Sequence, residues 1–292
     1  MGIHSSYGKQ ELDDKCCFLC GKDLIKECSV EHVFPKWLLT KYNLWNQKKI
    51  VLLNASTLPY RQLTIPCCVE CNTQHLSRVD GEVSKSVKEG FESARKVPEK
   101  SWYLWVAKIF YGILRKEVSL AIDRANLSKG NILTEDVLDS FKSLHLFLQA
   151  FRGMHRFNGD VPYTILLCNL HDIGEKFDFR DNLFQSTVAV RMGEIGIIVS
   201  FEDGGLVKDT YGKYVNEVDG RKLHPVQFIE LYAKVTYQVK LLQTPLTYET
   251  AFHVEGQRIA TTQIVNYSTY VEEWDQEEFF TFVEFSCFSM GG

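Results

Sequence analysis

The sequence predicts an α+β protein in which a small metal-stapled module precedes a mixed region of helices and antiparallel sheet. Three observations carry this. Seven of the nine cysteines fall between residues 16 and 71, and four of them form two CxxC pairs. Apolar residues recur at helical spacing from Ser101 to Leu120 and again from Thr134 to Arg152. After Pro162 the texture changes to short β-prone runs separated by turn residues.

Taken in order, residues 1 to 95 hold short apolar runs broken by turns and cysteine pairs, then a polar, helix-like stretch from Cys71 to Arg95. The segment VPEKS marks the expected division between a module of residues 1–95 and an accessory region of residues 96–292. Two amphipathic helices follow, and the runs YTILLCNL, LFQSTVAVRM and EIGIIVSF, the last closed by EDGG, predict a meander or hairpin. Pro225 to Leu242 is expected to be helical. The tail from Ala251 fits strands or helix equally.

Composition limits the function classes. With 45% hydrophobic and 24% charged residues the chain is that of a folded soluble protein. No run approaches a membrane span, and the opening MGIHSSYGKQ lacks the apolar core of a secretory signal, so a cytoplasmic protein is expected. That opening also matches a myristoylation pattern at Gly2 and Ser6, without a polybasic second signal. A net charge of -4 argues against a protein coated in cation. The charge is uneven, however: residues 1–100 carry 15 Lys or Arg against 12 Asp or Glu, so any nucleic-acid surface belongs to the N-terminal part.

Cys17 with Cys20, and Cys68 with Cys71, form two tight turns that each offer a pair of thiolates to one tetrahedral Zn²⁺. Crowded pairs of this kind indicate a metal site in a reducing compartment rather than disulfides. Cys168 and Cys287 lie in apolar runs and are expected to be buried small hydrophobes. On the cysteines alone, a structural zinc ribbon that performs no chemistry is the simpler expectation.

Between the pairs lies SVEHVFPKWLL, and directly after the second pair come Asn72 and, one helical turn on, His75. Through Cys17, Cys20, Glu31, His32, Pro35, Cys68, Cys71 and Asn72 the chain resembles the HNH (ββα-metal) endonucleases with four-cysteine zinc sites. Their pattern runs CxxC, an acidic residue and His followed by an apolar pair and Pro, then CxxCN. The match spans roughly residues 16 to 80.

The resemblance implies a zinc-stapled ββα-metal fold for this segment and hydrolysis of nucleic-acid phosphodiesters. It implies that Glu31 and Asn72 hold a catalytic Mg²⁺ or Mn²⁺ and that His32 activates water. The residue types suit this: an imidazole near its ordinary pKa of about 6.5 accepts a proton at neutral pH, and carboxylate and amide oxygens are hard donors for such ions. His75 is a further candidate ligand: the family's last ligand usually lies three or four residues beyond the Asn, and at the four-residue spacing this chain has Leu76. Asn54 is available for the Asn that ties a loop together in this family.

Lys36, Lys41, Lys48, Lys49, Arg61, Arg78 and Lys85 are candidate phosphate contacts. The aromatic cluster Trp102, Tyr103, Trp105, Phe110 and Tyr111 is expected to pack in a core rather than stack on bases, and EEWDQEE at residues 272–278 to be a solvated face or helix start. The remaining histidines have no ligand-like spacing. Two functions follow: an HNH endonuclease, cutting DNA before RNA, whose C-terminal region selects substrate, binds a partner or second copy, or restrains the nuclease, in a setting such as phage defence; or a non-catalytic zinc ribbon that binds nucleic acid.

Overall fold

A computed structural model describes residues 15–24, 28–46, 50–217, 221–242, 246–255, 257–266 and 271–283. Gly2, Ser6, Lys48, Lys49 and Cys287, singled out above, lie outside these described residues. In chain order the elements begin with β1 (Cys28–His32), α1 (Lys36–Lys41), β2 (Ile50–Val51), β3 (Thr57–Leu58) and β4 (Thr64–Cys68). A π-helical turn, Cys71–Leu76, leads into α2 (Ser77–Glu89), followed by α3 (Phe91–Ala94), α4 (Glu99–Val118), α5 (Glu135–Ser140), α6 (Lys142–Leu148) and β5 (His155–Phe157). Next come β6 (Thr164–Asn169), β7 (Phe177–Asn182), β8 (Thr187–Met192), β9 (Ile195–Ser200), α7 (Leu206–Glu217) and α8 (Pro225–Lys240). The chain continues with β10 (Thr247–Glu255), β11 (Gln257–Asn266) and α9 (Gln276–Val283). The mixed α and β architecture with antiparallel sheets is as expected. Among the described residues no helix is long and apolar enough to cross a membrane.

The expected division at residues 95–100 is not where the contacts divide. One compact unit comprises Met1–Ser84, Leu104–Arg156 and Ala251–Thr261; the other comprises Lys85–Tyr103, Phe157–Thr250 and Thr262–Gly292. The boundary moves because the first unit needs α4 and α6 to complete its core. In that unit β1 and β4 pair antiparallel, with Cys28 opposite Cys68 and His32 opposite Thr64. Trp105, Phe110 and Tyr111 of α4 are at most 3% exposed, so the aromatic cluster is core, as its spacing implied. Gly112 lets α4 approach closely: a Cβ there would stand 3.0 Å from Val33 Cγ2 and 3.4 Å from Ile65 Cδ1.

The second unit is built on a four-stranded antiparallel sheet of order β6-β9-β8-β7. All positions of β8 and β9 are buried, which explains their continuous β-branched and apolar runs. Leu166, Ala189 and Ile198 of the sheet pack against Val207 of α7 and Phe228, Leu231 and Val235 of α8, with Cys168 buried among them as expected. His224, given no role from sequence, caps α8: its Nδ1 accepts from Val226 N at 3.2 Å and Gln227 accepts from His224 N at 2.7 Å. The acidic stretch contains a helix start, with Asp275 Oδ1 accepting from Glu278 N at 2.8 Å. Among the elements not expected from the sequence are β5, β7, whose FDFRDN carries charge because it is an edge strand, and the helix α7.

Burial within this unit has a measurable consequence. It pushes the Glu202 carboxyl up to about 7, whereas in the unfolded chain it titrates as an ordinary glutamate. The folded state therefore prefers the protonated form; that stability is fully present below pH ~4.3 and is lost as pH rises through about 7. Glu202→Gln is expected to be more stable than wild type by about 1 kcal/mol at pH 5 and by about 3 kcal/mol at pH 8. An equal difference at both pH values in paired denaturant melts would refute this.

Candidate functional site

The two CxxC turns meet within the first unit. The Sγ atoms of Cys17, Cys20, Cys68 and Cys71 all lie within 4.8 Å of one another, a spacing that can hold a metal ion. Backbone geometry prepares each turn. Gly21, directly after the first pair, takes φ 69°, a left-handed conformation that lets its N–H reach Cys17 O at 2.8 Å. In the second turn Cys71 N donates to Cys68 Sγ at 3.4 Å. Cys67, on β4 beside Cys68, also approaches Cys17, at 4.0 Å between sulfurs. Four thiols this close compete for negative charge. Hydrogen bonds from Cys20, Cys67 and Cys71 hold Cys17 below the ordinary thiol range, and the contact with Cys17 in turn pushes Cys20 up to about 12. A bound cation ends that competition.

The first knuckle is held from α6 and the residues following it. His145 Nε2 lies 2.7 Å from Phe18 O, and Gln149 Nε2 donates to Leu19 O at 2.7 Å. Neither residue was assigned a role from sequence, because the partners lie 127 and 130 residues away.

Beside the cysteines a cleft of about 360 Å³ opens along β1, the start of α1 and α2. Its lining includes Glu31, His32, Asn72, Asp80 and Lys36, with Ser77, Gly81 and Ser84 along α2. The structure thus brings together the three residues expected at the reaction centre. His32 ends β1, its ring edge-on to Trp45 with centroids 5.7 Å apart. Burial, reinforced by the charge of Lys36 and only partly offset by Glu31, lowers its pKa, so the imidazole is neutral at pH 7 and can accept a proton. Asn72 Nδ2 donates to Ser29 Oγ at 3.1 Å, and Ser29 Oγ donates to Cys67 O at 3.0 Å, tying the second knuckle to both strands.

Glu31 turns inward. Its Oε1 accepts from Lys108 Nζ at 2.6 Å, and Lys108 is only 1% exposed. The ammonium also donates to His32 O at 3.1 Å and Val33 O at 3.2 Å. Desolvation opposes this charge, but the carboxylates of Asp80 and Glu31 outweigh it and raise the Lys108 pKa. Burial pushes the nearby Asp80 carboxyl up to about 6.

His75 does not line the cleft; its Nε2 lies 4.0 Å from Glu70 Oε1. The cause is the π-helical turn, in which the N–H of Ser77 bonds to Asn72 O five residues back. One extra residue in the turn puts Ser77, rather than His75 or Leu76, above Asn72, and aligns Asp80, Gly81 and Ser84 behind it. Of the described candidate phosphate contacts, Lys36 borders the cleft, whereas Arg61 bonds Asn46 and Lys85 lies 4.0 Å from Glu89. Asn54 does tie a loop: its Oδ1 accepts from Ser56 N at 3.1 Å and its Nδ2 donates to Ile122 O at 3.0 Å.

These contacts predict the outcome of excision. Residues 1–95 alone lack Lys108, His145 and Gln149, leaving a buried Glu31 carboxylate without its counter-ion and two carbonyls without donors. That fragment is expected to remain unfolded even with zinc supplied; native-like amide dispersion in its NMR spectrum would contradict this. Comparison of the chain with protein-family models, curated proteins and solved structures finds no match.

Proposed function

We propose that the chain is a metal-dependent endonuclease of the HNH type that hydrolyses nucleic-acid phosphodiester bonds, DNA before RNA, in the cleft bounded by β1 and α2. One observation supports the reading above all: His32, Glu31 and Asn72 converge on a single cleft beside the four-cysteine cluster. They do so on an antiparallel strand pair followed by a helix, the succession that the resemblance implies.

Zinc is the ion assigned to the four thiolates, whose softness and number suit its tetrahedral coordination. The cleft offers instead an amide oxygen, carboxylates and hydroxyls from Asn72, Asp80, Glu31, Ser77 and Ser84, a hard donor set suited to Mg²⁺ or Mn²⁺. Such an ion supplies stabilisation of the charge that builds on phosphate and leaving oxygen. The chain's own groups do the rest. Neutral His32 takes a proton from the attacking water as the new P–O bond forms and the bond to the leaving oxygen breaks. Lys36 at the rim holds a backbone phosphate. The accessory region selects substrate, docks a partner or a second copy, or restrains the nuclease, as a defence effector would require.

A second reading, a non-catalytic zinc ribbon that binds nucleic acid, draws on the capture of Glu31 by Lys108. Supercoiled plasmid, single-stranded DNA and RNA incubated with Mg²⁺, Mn²⁺ or EDTA, beside His32→Ala, separate the two. Cutting that needs both metal and His32 supports the nuclease. Binding without cutting by folded, zinc-loaded wild type under every condition supports the ribbon.

A further inference from the structure

Two carboxylates line the cleft, and their surroundings differ. Glu31 Oε1 already holds Lys108 Nζ at 2.6 Å, and the ammonium's two remaining hydrogens are taken by the carbonyls of His32 and Val33. An ammonium with all three donors engaged and 1% exposure cannot swing aside to admit a dication without leaving buried acceptors unmet. A cation seated on Glu31 would meet a fixed like charge at close range in a poorly screened site.

Asp80 lies on α2, within electrostatic reach of both Glu31 and Lys108. The π-helical turn lines it up with Asn72, Ser77, Gly81 and Ser84, so carboxylate, amide and hydroxyl oxygens share one face of the cleft. A Cβ at Gly81 would meet nothing within 4 Å, which leaves room beside Asp80 for an ion and its waters. Lys108 is bonded directly to Glu31 but acts on Asp80 as well, and two carboxylates sharing one ammonium leave the pair one negative charge in excess.

We propose that Asp80 is the carboxylate that holds the divalent cation in the His32 cleft, and that Lys108 is a positioning residue that neutralises Glu31 and fixes the carbonyl of His32. This assigns the cation to the α2 wall rather than to the acidic residue preceding the histidine. The inference deepens the nuclease reading and relies on it for the purpose of the ion, but its test does not depend on cleavage.

The experiment titrates Mn²⁺ into zinc-loaded full chain and reads the free ion by electron paramagnetic resonance, for wild type, Asp80→Asn and Glu31→Gln. Zinc content and circular dichroism report whether each variant folds. Asp80→Asn is expected to weaken Mn²⁺ at least about tenfold, a loss of the size expected for removing a group that supports a bound metal, and Glu31→Gln less than about threefold. Wild type that takes up no Mn²⁺, or a ranking of the two variants in reverse, overturns the assignment. Should a variant not fold, wild type alone decides: Fe²⁺ with ascorbate and peroxide is expected to cut the chain within a few residues of Asp80 and Asn72, and cuts elsewhere overturn it. Plasmid assays on the same samples keep the two ideas apart. Mn²⁺ bound through Asp80 without any cutting removes the nuclease and leaves the metal seat; cutting that survives in folded Asp80→Asn removes the metal seat and leaves the nuclease.

Discussion

With zinc in the four-cysteine cluster as proposed, chelating it, or replacing Cys71 with serine, is expected to unfold the first compact unit. Cys71 is 2% exposed and sits among the sulfurs of Cys17, Cys20 and Cys68. Its loss removes one of four ligands and leaves the other three to repel one another as they ionise. A structural zinc of this type supplies about 10 to 16 kcal/mol of apparent folding free energy, comparable to the whole stability of an ordinary domain, about 5 to 15 kcal/mol. One zinc per chain should be released by 1,10-phenanthroline, with loss of far-UV helical signal and collapse of the thermal transition. Cys16→Ser, at a neighbouring position outside the cluster, should change the midpoint by no more than a surface substitution does. A fully folded wild type that carries no metal would sink the zinc assignment.

The second large effect is expected at His32. Its replacement by alanine should lower the cleavage rate by about 10² to 10⁴, the range that a positioned general base contributes, while DNA binding and zinc content stay at wild-type levels. His32 is half-buried and packs edge-on to Trp45, so a modest cost in stability accompanies the change and must be measured beside the rate. The pH profile adds a signature that a merely structural histidine would not produce. Burial, together with the charge of Lys36, lowers the His32 pKa beneath its ordinary value of 6.5. The neutral base therefore persists below that value, and the acid limb of wild-type activity should lie on the acid side of pH 6.5, with no such limb in the residual activity of His32→Ala. A variant that cuts at the wild-type rate removes His32 from the chemistry.

The parts of this site that could be read along the chain are the ones made by neighbours. A CxxC pair needs only a tight turn, so Cys17 with Cys20 and Cys68 with Cys71 announced themselves by spacing, as did the Glu31–His32–Pro35 run and Asn72. The helical period of residues 101–120 and the β-branched runs of β8 and β9 were legible for the same reason, since each pattern repeats within one element. The edge strand β7 gave no such signal, because its FDFRDN places charged residues along a half-buried strand.

Tertiary structure alone decided how the site is completed. The π-helical turn after Cys71 breaks the count of four residues per turn, turning His75 away and bringing Asp80 to the cleft, and nothing in CNTQHL signals the extra residue. Lys108 reaches Glu31 from 77 residues further along the chain, and His145 reaches Phe18 from 127. By itself the sequence determined which residue types gather at each turn, because that depends on covalent neighbours. Which charges meet in the interior depends on burial of groups far apart in the chain, where an ion pair costly to desolvate is stable only once packing has placed both partners, and that only the fold could decide.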